Sequence, residues 1–123
     1  MFHWYSDYYA AVEVSRANAA YCERVFGRNL CQHGFADMDQ LDRLLEVTGI
    51  RAGHRVLDLG CGNGLIAEYI SDVTGAQVTG VDFIPGAIRQ AQDRTLDILS
   101  ARQNFELLRH QRCQAVRIPL QMV

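Results

Sequence analysis

The stretch Val56-Leu57-Asp58-Leu59-Gly60-Cys61-Gly62-Asn63-Gly64 leaves this chain few folds to adopt. A short apolar run with one embedded acid passes into three glycines at alternate positions, and Leu65, Ile66, Tyr69 and Ile70 then open a helical pattern. That order reads as strand, tight turn, helix. Glycines permit positive φ and let a ligand approach the bare backbone N–H groups, which any β-carbon there would block. The start of the following helix adds the positive end of its dipole. A ligand-binding α/β unit is the expectation.

The rest of the chain supports that reading. The first nine residues concentrate Phe2, Trp4, Tyr5, Tyr8 and Tyr9. Such a segment either packs its rings onto the core or forms a lid whose rings cover a ligand. Val14, Ala17, Tyr21 and Val25 recur at helical spacing, so a single amphipathic helix over 9–26 is expected, with Gly27 as its cap. Gln32, His33 and Gly34 fall in a loop. Asp37 or Asp39 then caps a helix whose apolar face is Met38, Leu41, Leu44, Leu45 and Val47, ending at Gly49. Beyond the glycine turn the pattern gives a helix over 65–73, a strand over 77–82, a helix from Pro85 to about residue 100, and a weaker third strand over 105–108. The expected architecture is one domain with three parts: a helical cap over 1–50, a βαβαβ half of a Rossmann-like doubly wound sheet over 51–108, and an atypical tail over 109–123.

Composition removes several alternatives. In 123 residues, 12 basic side chains face 14 acidic ones, so no bulk charge invites nucleic acid or an anionic membrane. All the basic residues are arginine, which rules out a Schiff-base or P-loop lysine. Cys22, Cys31, Cys61 and Cys113 are scattered without metal-ligand spacing, so no metal is expected. No apolar run approaches the roughly 20 residues of a membrane span, and the cytoplasm is the expected compartment. Cys61 is read as a small turn residue rather than a nucleophile, and His33 and His54 as ordinary loop residues.

Asp82 lies 18 residues beyond Gly64, at the end of the next strand, where a carboxylate can accept two hydrogen bonds from a ribose diol. The dinucleotide fingerprint requires a third small residue at position 65, which is leucine. The pattern present is instead G-x-G-x-G with Asp58 two residues before the first glycine. That acid suits a ligand carrying a cationic ammonium better than a pyrophosphate.

These two motifs, the run over 56–64 and Val78-Thr79-Gly80-Val81-Asp82, resemble the first two motifs of the class I S-adenosylmethionine-dependent methyltransferases, in their small-molecule branch. The resemblance covers about 37–105. It implies that Gly60, Cys61 and Gly62, with Asn63 and Gly64 completing the turn, run beside the methionine and ribose of S-adenosylmethionine, with S-adenosylhomocysteine as product. It further implies that Asp82 holds the ribose hydroxyls, that Phe83 and Ile84 flank the adenine, and that Asp58 helps hold the methionine end. The upstream helices and the loop around His33 would cover the cofactor. The methyl acceptor would be a small molecule, and no catalytic residue can be named.

The same resemblance implies a sheet ordered 3-2-1-4-5-7-6, of which this chain supplies strands 3, 2 and 1. No acid follows Glu106, whereas Arg109, Arg112 and Arg117 fall in the tail. A truncated or frameshifted remnant of a longer enzyme is one expectation from this break, and an expression fragment is another. An open edge on strand 1 predicts a homodimer or larger assembly that covers it. Two further functional readings stay open: a catalytically inactive cofactor-binding or assembly module, and a dinucleotide-binding dehydrogenase fragment.

Overall fold

A computed structural model describes residues 2–32, 36–96 and 103–107. Five helices and three strands follow in the order α1 (Phe2–Val14), α2 (Arg16–Phe26), α3 (Met38–Thr48), β1 (Arg55–Leu59), α4 (Leu65–Thr74), β2 (Gln77–Asp82), α5 (Pro85–Thr95) and β3 (Gln103–Leu107). The strands are all parallel, in the spatial order β1-β2-β3 expected from the sequence. The tail over 109–123, Leu108 of the third expected strand, the far end of the helix expected to reach residue 100, and His33 and Gly34 lie outside the described residues.

Where one helix was expected over 9–26, there are two, and the first begins at Phe2. Ser15 separates them. Its backbone is extended, at φ −85° and ψ 101°, and its Oγ accepts the amide of Asn18 at 3.1 Å. A serine that satisfies a free N–H in this way starts a helix and cannot also continue one. The α3 start is settled in favour of Asp37, which accepts from the Gln40 amide at 2.9 Å while Gln40 Oε1 accepts from the Asp37 amide at 3.3 Å. This reciprocal pair is a capping box.

Helices α4 and α5 lie on one face of the sheet, as right-handed crossovers in a 3-2-1 order require. The core between them joins Ala67 and Ile70 of α4, Ile88 and Ala91 of α5, Val78 of β2 and Phe105 of β3. Burial of each large side chain here stabilises the fold by roughly 1.5–3 kcal/mol. The opposite face of β1 is different. Leu57 is 49% exposed and Leu59 71%.

Candidate functional site

Three glycines in left-handed conformations, Gly60 (φ 80°), Gly62 (φ 56°) and Gly64 (φ 81°), fold the end of β1 back over the end of β2. Their amides are already aimed. Gly60 and Cys61 donate to the Val81 carbonyl at 2.8 and 3.1 Å. The Gly62 amide donates to Asp82 Oδ2 at 2.8 Å, and the other oxygen, Oδ1, accepts from the Ile84 amide at 2.8 Å. The Asp82 carboxylate, only 5% exposed, thus ties the loop after β1 to the loop after β2. Each of its oxygens keeps a lone pair for a further donor.

Above this turn is an open cavity of about 430 Å³ lined by Tyr5, Tyr9, Leu30, Cys31, Gly60, Cys61, Asn63, Ile66, Asp82, Phe83 and Ile84. Six residues singled out from the sequence, Gly60, Cys61, Asn63, Asp82, Phe83 and Ile84, therefore share its wall. Asp58, Gly62 and Gly64 do not line it. Gly62 lies under the Tyr9 hydroxyl, with which a β-carbon at this position would collide. Gly64 lies against Phe105 and Ala91, and Asp58 is half-buried on the helix-bearing face of β1.

The residues missed by motif reading are Tyr5, Tyr9, Leu30, Cys31 and Ile66. The aromatic density of the first nine residues signals the two tyrosines. Of the two roles open to that segment, rings over a cavity is the one the geometry matches. Phe83, on the lip, has the ring of Phe2 at 6.2 Å and that of Tyr5 at 6.4 Å. Cys31 carried no signal, although it holds a left-handed φ of 53° that a β-carbon normally avoids.

Helix α1 is held in place by Gln90 of α5, whose Nε2 donates to the Tyr9 carbonyl at 3.0 Å and to Glu13 Oε2 at 3.1 Å. Replacing Gln90 with leucine is expected to loosen α1 and weaken ligand binding about tenfold, while the melting temperature moves by only a few degrees. Isothermal calorimetry alongside a thermal melt checks both.

The electrostatics of the site are negative. Burial, and then the charge of Asp82, raise the pKa of Asp58 above the ordinary carboxylate value. Burial followed by the charges of Asp58 and Asp82 pushes the Cys61 thiol up to about 12, so it is no nucleophile at neutral pH. Tyr9 is raised by burial and then by Asp82. Among the described residues that line the cavity none is basic. Two carboxylates, with no cation among the described residues lining the cavity, favour a positively charged ligand over a pyrophosphate. Among the described residues there is no group of three or more His, Cys, Asp or Glu side chains able to hold a metal ion, and no helix long and apolar enough to cross a membrane.

A parallel βαβαβ sheet with a glycine turn and a strand-ending acid at its carboxyl edge defines a Rossmann-like nucleotide-binding unit. The chain belongs to the Methyltransferase domain family, whose profile matches residues 56–119. It is 33% identical over 82 residues, 58% of its own length, to 27-O-demethylrifamycin SV methyltransferase of Amycolatopsis mediterranei, and 40% identical over 60 residues, 49% of its length, to the ubiquinone biosynthesis O-methyltransferase of Chromobacterium violaceum. It spans 30% and 24% of those relatives, respectively. The crystal structure of a SAM-dependent methyltransferase from Geobacter sulfurreducens in complex with S-adenosyl-L-homocysteine superimposes with a TM-score of 0.50 at 29% identity, covering 58% of this chain and 29% of that one.

Proposed function

We propose that this chain binds S-adenosylmethionine in the cavity above the glycine turn and forms the cofactor half of a methyltransferase for a small-molecule acceptor. The observation that carries the reading is the pair of carboxylates, Asp58 and Asp82, at a turn whose cavity has no cation among its described lining residues. A ligand with a sulfonium and an ammonium meets that field favourably. Asp82 accepts the ribose hydroxyls on the lone pairs left by Gly62 and Ile84, Phe83 and Ile84 take the two sides of the adenine, and Gly60, Cys61 and Asn63 follow the ribose and methionine. Tyr5 and Tyr9 close over the top and exclude water. When bound, the cofactor supplies an electrophilic methyl group for direct displacement. What these residues contribute is orientation and desolvation. The relatives named above support a small-molecule acceptor by their names, and the free thiols of Cys22, Cys31 and Cys61 suit a reducing, cytoplasmic setting.

Calorimetric titration tests the proposal. Heat with S-adenosylmethionine and S-adenosylhomocysteine but none with NAD is the expected result. Tight NAD binding would replace it with the dehydrogenase reading, despite Leu65. The alternative of an inactive cofactor-binding module predicts binding without methyl transfer to any acceptor.

The raised pKa of Asp58 gives a pH test. A raised carboxyl binds its proton more tightly in the folded than in the unfolded chain, so the ligand-free fold loses stability as pH rises from the ordinary carboxylate range through the raised value. A cation in the adjoining cavity favours the ionised form of Asp58, so affinity for S-adenosylmethionine rises through the same interval. Asp58→Asn is expected to raise the ligand-free melting temperature, lower affinity about tenfold and flatten the pH slope of binding. Thermal melts and calorimetry across acidic pH measure all three.

A further inference from the structure

We propose that Arg94 is the positioning residue of the glycine turn, holding the 63–64 peptide in the orientation that shapes the cavity wall. The inference rests on the reading of that cavity as the S-adenosylmethionine site. Arg94 lies in the last turn of α5 and reaches back to the turn after β1. Its Nη2 donates to the Asn63 carbonyl and, at 2.8 Å, to Glu68 Oε1, to which its Nε also donates at 3.1 Å. One planar guanidinium thus spans a backbone carbonyl of the turn and a carboxylate of α4.

Two features make this bond consequential. Asn63 is only 8% exposed, and its carbonyl stands one residue ahead of that of Gly64, which accepts the Glu68 amide at 2.9 Å as α4 begins. A buried carbonyl outside the helix ladder needs a donor, and Arg94 supplies it. Gly64 then follows at φ 81°, so rotation of the 63–64 peptide plane meets no β-carbon on that side. Nor does Gly64 bring a side chain to cap α4. The peptide is instead held at both ends: its N–H donates to the Cys61 carbonyl at 2.9 Å, and its C=O accepts from Arg94. A flip would break both bonds at once.

Arg94 acts from behind the wall. It borders a second cavity, between α1 and α5, that shares Cys31 and Asn63 with the first, and it does not line the first. Glu68, partly buried beside it, opposes its charge. Its effect on a ligand therefore passes through the shape of the turn, not through contact.

Amide hydrogen exchange of the ligand-free chain, resolved by residue with NMR, and calorimetry with S-adenosylhomocysteine test the proposal. In Arg94→Met the Gly64 amide is expected to exchange about tenfold faster while the amides of β2 change far less, and affinity falls about tenfold. Arg94→Lys keeps the charge without the planar fork and falls between Met and wild type. Arg89→Met makes the same change of charge at an exposed position of α5 and alters neither reading. A Gly64 amide no faster than in the wild type overturns the proposal, as does faster exchange spread evenly over α4, α5 and the sheet, or an unchanged affinity in a folded Met variant. If the wild-type chain gives no heat with S-adenosylmethionine or S-adenosylhomocysteine, the cofactor reading falls, and the Gly64 exchange rate alone decides the role of Arg94. Should Arg94→Met not fold, Arg94→Lys decides by the same measurements, and equality with the wild type in either overturns the proposal.

Discussion

Replacing Asp82 with alanine is expected to abolish the heat of S-adenosylmethionine binding and to lower the stability of the ligand-free chain by about 2–4 kcal/mol. The carboxylate is buried and accepts the amides of Gly62 and Ile84, each at 2.8 Å. Hydrogen bonds to a charged group contribute about 1.5–3 kcal/mol each, and alanine leaves both donors without an acceptor. Relief of the repulsion between Asp82 and Asp58 offsets part of that loss, so the net falls below the sum. Urea denaturation gives the stability term. The pKa of Asp58 should move back toward the ordinary carboxylate value in the same variant, because one of its two causes is gone. Asparagine is a graded control. It keeps one acceptor oxygen but turns an amide N–H₂ toward the other backbone donor, so its effect should be large but incomplete.

Alanine at Gly64 is expected to cost about 2–5 kcal/mol. Two causes add. The backbone sits at φ 81°, where a side chain costs roughly 1–2 kcal/mol. The new β-carbon would also stand 2.5 Å from Phe105 Cε1 and 2.9 Å from the Ala91 β-carbon, and overpacking of this kind costs about 1–3 kcal/mol. Pairing Gly64→Ala with Phe105→Leu separates the two. Trimming the ring removes the collision but not the backbone strain, so the double variant should be less destabilised than the sum of the singles. Strict additivity measured in urea would mean that the ring and the turn do not press on each other.

The glycine turn and its flanking elements were legible in the sequence because glycine spacing, the apolar run and the onset of helical periodicity all point to one geometry. Asp82 was legible too, but only by position. That its two oxygens are already spoken for by Gly62 and Ile84 depends on how two loops meet, which no local pattern encodes. The break at Ser15 was hidden because the apolar spacing over 9–26 runs straight through it, and a serine both caps and interrupts. Tyr5 and Tyr9 reach the cavity from a helix with no buried residue of its own, so periodicity could not say which way its rings point. Leu57 and Leu59 alternate with Asp58 as though for a strand covered on both sides. Their exposure reflects what the described residues leave uncovered, a property of the assembled sheet and not of β1 alone.

Phe105 belongs to β3, which contributes no wall to the cavity, yet its ring is wedged against Gly64 and lies under Gly80. The turn proposed to hold the ligand and the strand farthest from the β1 edge are therefore in contact through this ring. Amide hydrogen exchange along β3 should slow when S-adenosylhomocysteine is added, although the strand never touches it, and that remote protection should vanish in Phe105→Leu while the ligand still binds. A single ring would then serve as the gauge by which the far side of the sheet registers an occupied site.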